Sequence, residues 1–159
     1  MAKKAWTATL FVLLVTVVAL STSDTAQVTF SDNISIEAET AVTSEEKATG
    51  LMNKENLGED HGMLFIYHKE DDRSFWMKNT SIPLDIIFID SNQEIIDIEQ
   101  SDPEPNTSTN NLERYRSSKP AKYVLEVNQG FSEKNSIEKG DKVRLEYSWL
   151  RSRLKLVSS

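Results

Sequence analysis

Leu84-Asp85-Ile86-Ile87-Phe88-Ile89, then Asp90-Ser91-Asn92-Gln93, then Glu94-Ile95-Ile96-Asp97-Ile98-Glu99 is the stretch that decides the fold class. Two short runs rich in Ile and Phe flank four residues of turn chemistry, which is the pattern of a β-hairpin. Branched and aromatic side chains suit a pleated surface, whereas Asp, Ser and Asn bond their own backbone where the chain reverses. Working upstream, Ile34, Ile36 and Ala38 alternate with Ser35, Glu37 and Glu39, which predicts a half-buried strand. Residues 63–67 (MLFIY) are apolar throughout and predict a buried strand, with the charged residues 68–73 (HKEDDR) as a turn beyond it. Downstream, residues 123–128 (YVLEVN) predict a strand that Gly130 breaks, followed by one helical turn over residues 131–135. Val143, Leu145, Tyr147 and Trp149 alternate with Arg144, Glu146 and Ser148 in a last amphipathic strand.

Helix signals are few. Thr43-Ser44-Glu45-Glu46 has capping-box form, and a short helix is expected from there to about Thr49, stopped by Gly50. Residues 102–120 are rich in Pro, Ser, Thr and Asn and read as a long loop, a class that is usually functional or mobile. Helices do not alternate with strands, so a doubly wound sheet is not expected. The fold class predicted is mainly β: a small antiparallel β-sandwich or barrel with one or two short helices.

Composition bounds the rest. The chain has 159 residues, enough for one domain, with 18 Lys+Arg against 25 Asp+Glu and a net charge of −7. An acidic chain is a poor match for nucleic acid, whose phosphates need a concentrated basic surface. With no Cys, it has no disulfide, thiolate metal site or thiol nucleophile.

Lys3 and Lys4 precede an uncharged run over residues 5–20, and small residues (Ser21, Thr22, Ser23) follow. A basic start, an apolar stretch and small residues make a secretory signal. The run would extend about 24 Å as a helix against a hydrocarbon core of about 30 Å, which is short for a permanent span. The expected organisation is a signal peptide or N-terminal membrane anchor over 1–23, a β domain over 24–149 and a basic extension over 150–159. Loss of Lys3 and Lys4 with the signal would leave the exported domain at −9. N-x-S/T sequons begin at Asn33, Asn79 and Asn106, and glycosylation is left open at Asn33 and Asn106.

Gly50-Leu51-Met52, Gly62-Met63-Leu64-Phe65, and Phe75-Trp76-Met77-Lys78-Asn79-Thr80 with Ile82-Pro83-Leu84-Asp85 together resemble the DUF192 family, also called UPF0127. Ala121-Lys122-Tyr123-Val124-Leu125-Glu126-Val127, Gly130 and Gly140-Asp141 fit its second half. The resemblance implies a mainly-β domain, often behind a signal peptide, with no characterised activity. Two departures stand out. Lys47 and Lys54 occupy positions around the GLM segment where family members commonly carry Arg, and Lys lacks the planar fork that grips a carboxylate bidentately. His61 matches no motif position.

If residues 76–79 lay on a strand, Trp76 and Lys78 would share one face, and Met77 and Asn79 the other. An Asn beside a Met on an inward face is costly unless its amide is hydrogen-bonded. One reading has Asn79 and Thr80 tying down the turn before Pro83, with Asp85 accepting backbone or Lys78 hydrogen bonds. The other makes Trp76, Lys78, Asn79, Asp85 and Glu126 a polar cleft for a small ligand, rimmed by residues 102–120. Asp85 and Glu126 could do acid–base work if burial raised one pKa, but no spacing places them at a catalytic separation. No G-x-S-x-G, H-E-x-x-H or P-loop is present, so no catalytic residue is assigned. Met52, Met63 and Met77 with His61 or His68 could assemble a Cu(I) site, but Met in apolar strand runs is ordinarily core filler. No metal and no cofactor are predicted.

The sequence therefore supports an exported module that binds a small ligand or a protein partner, with no nucleic acid. The alternative is an accessory subunit held at the outer face of the membrane through residues 5–20.

Overall fold

The computed structural model describes residues 24–31 and 34–148. The expected signal or anchor segment, Asn33, Trp149 and the basic extension lie outside those residues. The hairpin is formed as expected: β5 (Leu84–Ile89) pairs antiparallel with β6 (Ile95–Ser101). Asp90 explains the reversal, because its Oδ1 accepts from the amides of both Asn92 and Glu94 at 2.8 Å. Gln93 takes the left-handed conformation that the turn needs, with φ 61°.

The hairpin forms one end of a seven-stranded sheet. Next to β5 lies β8 (Ala121–Asn128), then β3 (His61–Asp71), β2 (Ile34–Ala41), β1 (Thr25–Ser31) and β9 (Arg144–Tyr147). Every pairing is antiparallel except that of β2 with β3. A parallel pair needs a crossover, and α1 (Ser44–Thr49) with the turns after it supplies one. The two ends of the sheet then meet. Glu94 and Lys142 form an antiparallel bridge just before β6 and β9, and Ile95 N–H donates to Asp141 O at 2.9 Å. The sheet is therefore rolled almost into a barrel, which leaves little unpaired edge.

Each sheet face has its own core. Inside the roll pack Val28, Ile36, Leu64, Ile87, Leu125 and Val127, among others. Outside it, Phe65, Leu84, Ile86, Phe88 and Val124 are covered by Leu51, Phe75, Met77, Ile82 and Tyr115. Phe75 meets Phe65 edge-on at 4.9 Å and Phe88 at 6.0 Å.

Several elements differ from the sequence reading for identifiable reasons. β1 has too many Thr, Ser and Gln residues to announce itself, yet Ala26 and Val28 are buried beneath it. The charged residues 68–71 continue β3 rather than turning, as an exposed arm whose register with β8 shifts between Ile66 and Asp71. The stretch 102–120 is not a featureless loop. It holds a single 3-10 turn, Thr109–Asn111, and β7 (Tyr115–Arg116), which pairs with β4 (Ser74–Phe75). Tyr115 anchors it in the outer core, and Leu112 is buried beside it.

Asp85 closes one end of the roll. It points to the inner face, is fully buried, and accepts from Gly130 N–H at 3.0 Å and Ser132 N–H at 2.9 Å. This fixes the turn from β8 into α2 (Phe131–Lys134), where Gly130 adopts φ 83°. Asp85→Ala would leave two amides without an acceptor, and urea unfolding should show a loss of about 2–4 kcal/mol.

Candidate functional site

The outer face carries one polar group where an apolar one is expected. Glu126 stands on β8 directly opposite Met63 of β3 and Ile86 of β5, so its side chain joins theirs on the outer face. It is only 4 % exposed. Its carboxyl makes no hydrogen bond or ion pair with any described residue. Burial alone pushes its pKa up to about 8, because a carboxylate there would lose its hydration without gaining a partner. At neutral pH Glu126 is a protonated acid, able both to donate and to accept.

The carboxyl looks into a cavity of about 80 Å³. Leu51, Met52, Phe65 and Phe75 give it apolar walls, while Tyr67, Trp76, Lys78, Thr80 and Lys47 bring polar groups to it. The cavity owes its shape to α1 and the turn after it. Thr43 Oγ1 accepts from Glu46 N–H while the Glu46 carboxylate accepts from the amides of Thr43 and Val42, which holds that carboxyl below its usual pKa. At Gly50 the chain turns with φ 49°, and a Cβ there would sit 3.2 Å from the Phe65 ring. Asn53 N–H then donates to Asn79 O at 2.9 Å, joining the GLM turn to the WMKNT segment across the cavity mouth.

Gly62 sets the spacing of β3 and β8 from the inner side of the sheet. A Cβ on Gly62 would lie 2.7 Å from the backbone oxygen of Glu126, so only glycine lets β3 and β8 approach closely here.

Of the five residues read as a cleft, the structure brings together Trp76, Lys78 and Glu126. Asn79 does not face inward beside Met77. Only Ser74 and Phe75 are strand, and Asn79 occupies a turn with φ 53°, where its carbonyl holds Asn53. Asp85 stands apart on the opposite face of the sheet, because it pairs with Val127 rather than Glu126. Sequence reasoning missed Tyr67 and Thr80 as neighbours of Glu126, although both lie within or beside quoted motif segments. Met63 and Met77 are core residues and His61 is exposed against Asp60, so these groups do not converge.

Cations gather around this cavity. Arg73 stacks on Tyr67 with its guanidinium carbon 3.6 Å from the ring centre, and Lys47 lies 4.6 Å from the same ring. Arg114 stacks on Trp76 at 4.1 Å, and Lys78 lies 5.6 Å from it. Such stacking holds a cation in place without neutralising it. Burial and the nearby Arg73 lower the Lys47 pKa, and burial raises that of Tyr67. The 102–120 segment reaches the mouth through Arg114 and through Glu104, whose amide donates to Thr80 O at 3.1 Å.

The raised pKa carries a stability signature. Between an unfolded value near 4.5 and a folded value of about 8, the native state holds a proton that the unfolded chain has lost. Stability should therefore fall as pH rises across that window, by up to about 1.4 kcal/mol per pH unit from this group, and level off above it. Glu126→Gln should remove this component, and denaturant titrations of both proteins from pH 5 to pH 9 will measure it.

The DUF192 family, described as an uncharacterized ACR, matches residues 26–145. No protein with a curated description is significantly similar to the chain. A crystal structure from Novosphingobium aromaticivorans DSM 12444, of a protein of unknown function, is 36% identical with a TM-score of 0.65. The match covers 76% of this chain and 83% of that one. Another, from Sinorhizobium meliloti 1021 and suggested to be a transcription regulator, is 29% identical with a TM-score of 0.65. There the match covers 77% of this chain and 92% of that one.

Proposed function

The chain belongs to the DUF192 family, and we propose that this member is an exported module that binds a small ligand in the Glu126 cavity. One observation carries the reading: a carboxyl that is buried, unpartnered and turned into a cavity. Burying an ionisable group without a partner costs several kcal/mol at the pH where it would otherwise ionise. An apolar side chain of similar size would pack there at no such cost. A residue kept against stability is the mark of a site, because function and stability pull its identity in opposite directions.

The surroundings fit recognition better than catalysis. Polar groups converging on a space that also has apolar walls are what orient a ligand in a site, and here the polar share of the lining is the larger. Pockets for whole drug-sized molecules hold roughly 300–1,000 Å³, so this cavity suits one end of a ligand, with the remainder at the mouth between Trp76 and Arg114. Among the described residues lining the cavity there is no second carboxylate and no His or Cys beside Glu126, and its titratable neighbours are Tyr67, Lys47 and Lys78. Export rests on Lys3, Lys4 and the uncharged residues 5–20, which have the order of a secretory signal.

Glu126→Leu tests the central point. At pH 8 the variant should be more stable than the parent by about 1–4 kcal/mol, as apolar replacements of buried charged groups often are, while ligand capture is lost. Native mass spectrometry after incubation with a small-metabolite panel reads the second effect. A Leu variant that is less stable and still captures the same ligand would overturn the proposal. Intact mass of the protein from its native host reads export: loss of the first 21 to 23 residues is expected, and an intact N-terminus would favour the anchored alternative.

A further inference from the structure

The cavity also says what kind of ligand end it takes. Among the described residues Lys47, Arg73, Lys78 and Arg114 form no ion pair, as is true also of the more scattered Lys69, Arg116, Lys119 and Lys122, and Lys47 and Arg73 donate instead to backbone carbonyls. In a chain of net charge −7, four cations that form no ion pair ring one cavity. Two of them, Lys47 and Lys78, line it directly. An ammonium ligand would meet that ring as like charge. An anion is drawn in by it.

We infer that the cavity holds a small carboxylate, which accepts a hydrogen bond from the Glu126 acid and is neutralised by Lys78 and Lys47. The inference rests on the Glu126 cavity being a ligand site. A carboxylic acid facing a carboxylate can form a short, charge-assisted O–H···O⁻ bond, and the pair shares one proton because both cannot ionise together. Leu51, Met52, Phe65 and Phe75 offer contact to a short hydrocarbon tail, while the larger, polar share of the lining meets the carboxylate.

This predicts a pH dependence of definite sign. The titratable groups facing Glu126 are Tyr67 from β3, Lys47 from α1 and Lys78 from the segment after β4, with Arg73 stacked behind Tyr67. Ile86 of β5 and Met63 of β3, its neighbours on the sheet, contribute none. The bound carboxylate needs Glu126 protonated, so affinity is constant below the free pKa of about 8 and falls above it. The limiting slope is about tenfold per pH unit. Lys47 would also lose charge at high pH, so a variant is needed to isolate the acid.

Butyrate and butylamine, titrated into the full-length chain by saturation-transfer NMR between pH 6 and pH 9.5, make the test. Butyrate should bind and butylamine should not. Glu126→Gln, whose amide still donates, should keep butyrate binding within a few-fold at pH 7 and flatten the fall above pH 8. Lys78→Met, at the half-buried rim, should weaken butyrate about tenfold, and it serves equally if the Gln variant folds poorly. Binding of butylamine with affinity that rises with pH would overturn the inference while leaving the cavity a ligand site. An unchanged pH profile in Glu126→Gln would overturn it as well. Binding of neither ion, with no ligand retained from the metabolite panel, would overturn both readings.

Discussion

β8 lies between β3 and β5 with both of its faces buried, and this constraint organises the molecule. A strand in that position needs apolar cover on two sides. Rolling the sheet covers Tyr123, Leu125 and Val127 from within. The second face cannot be served by the same roll, so the GLM turn, the WMKNT segment and the β4–β7 ribbon are recruited to cover Val124 and its neighbours. The motif segments are thus first a lid over a sheet. Their chemistry is an exception made inside that lid.

Glu126 is the exception. It occupies a lattice position that packing alone would give to Leu or Val, and it opens a cavity where the outer core would otherwise be continuous. The backbone bond between the GLM and WMKNT segments and the cations stacked on Tyr67 and Trp76 act on the same small space. Asp85 shows the contrasting use of a buried carboxylate. It is satisfied by two backbone amides and holds the end of the roll together, so it has nothing left to offer a ligand.

Local chemistry was legible wherever one segment carried its own reason. The hairpin at Asp90, the capping box at Thr43 and Glu46, the stop at Gly50 and the turn at Gly130 each depend on residues a few positions apart. Segments whose state is set by distant partners were not legible in this way. β1 is a strand because β2 and β9 flank it, the charged arm of β3 extends past its apolar part, and β7 exists because β4 offers it an edge within a stretch that composition marks as loop.

The candidate cleft shows the same division at the level of single side chains. From the sequence alone, alternation determined that Asp85 faces away from Ile86 and that Glu126 faces away from Leu125 and Val127, since successive residues of a strand point to opposite sides. It could not say whether Asp85 and Glu126 share a face. That depends on register: had β5 and β8 paired one residue differently, the two carboxyls would stand together. The tertiary structure pairs Ile86 with Glu126 and Asp85 with Val127, because only then do the apolar sets of both strands meet their two cores. The sequence thus determined the family, the strand-rich class and the polar groups available, while the pairing of strands decided which of those groups meet in a cavity.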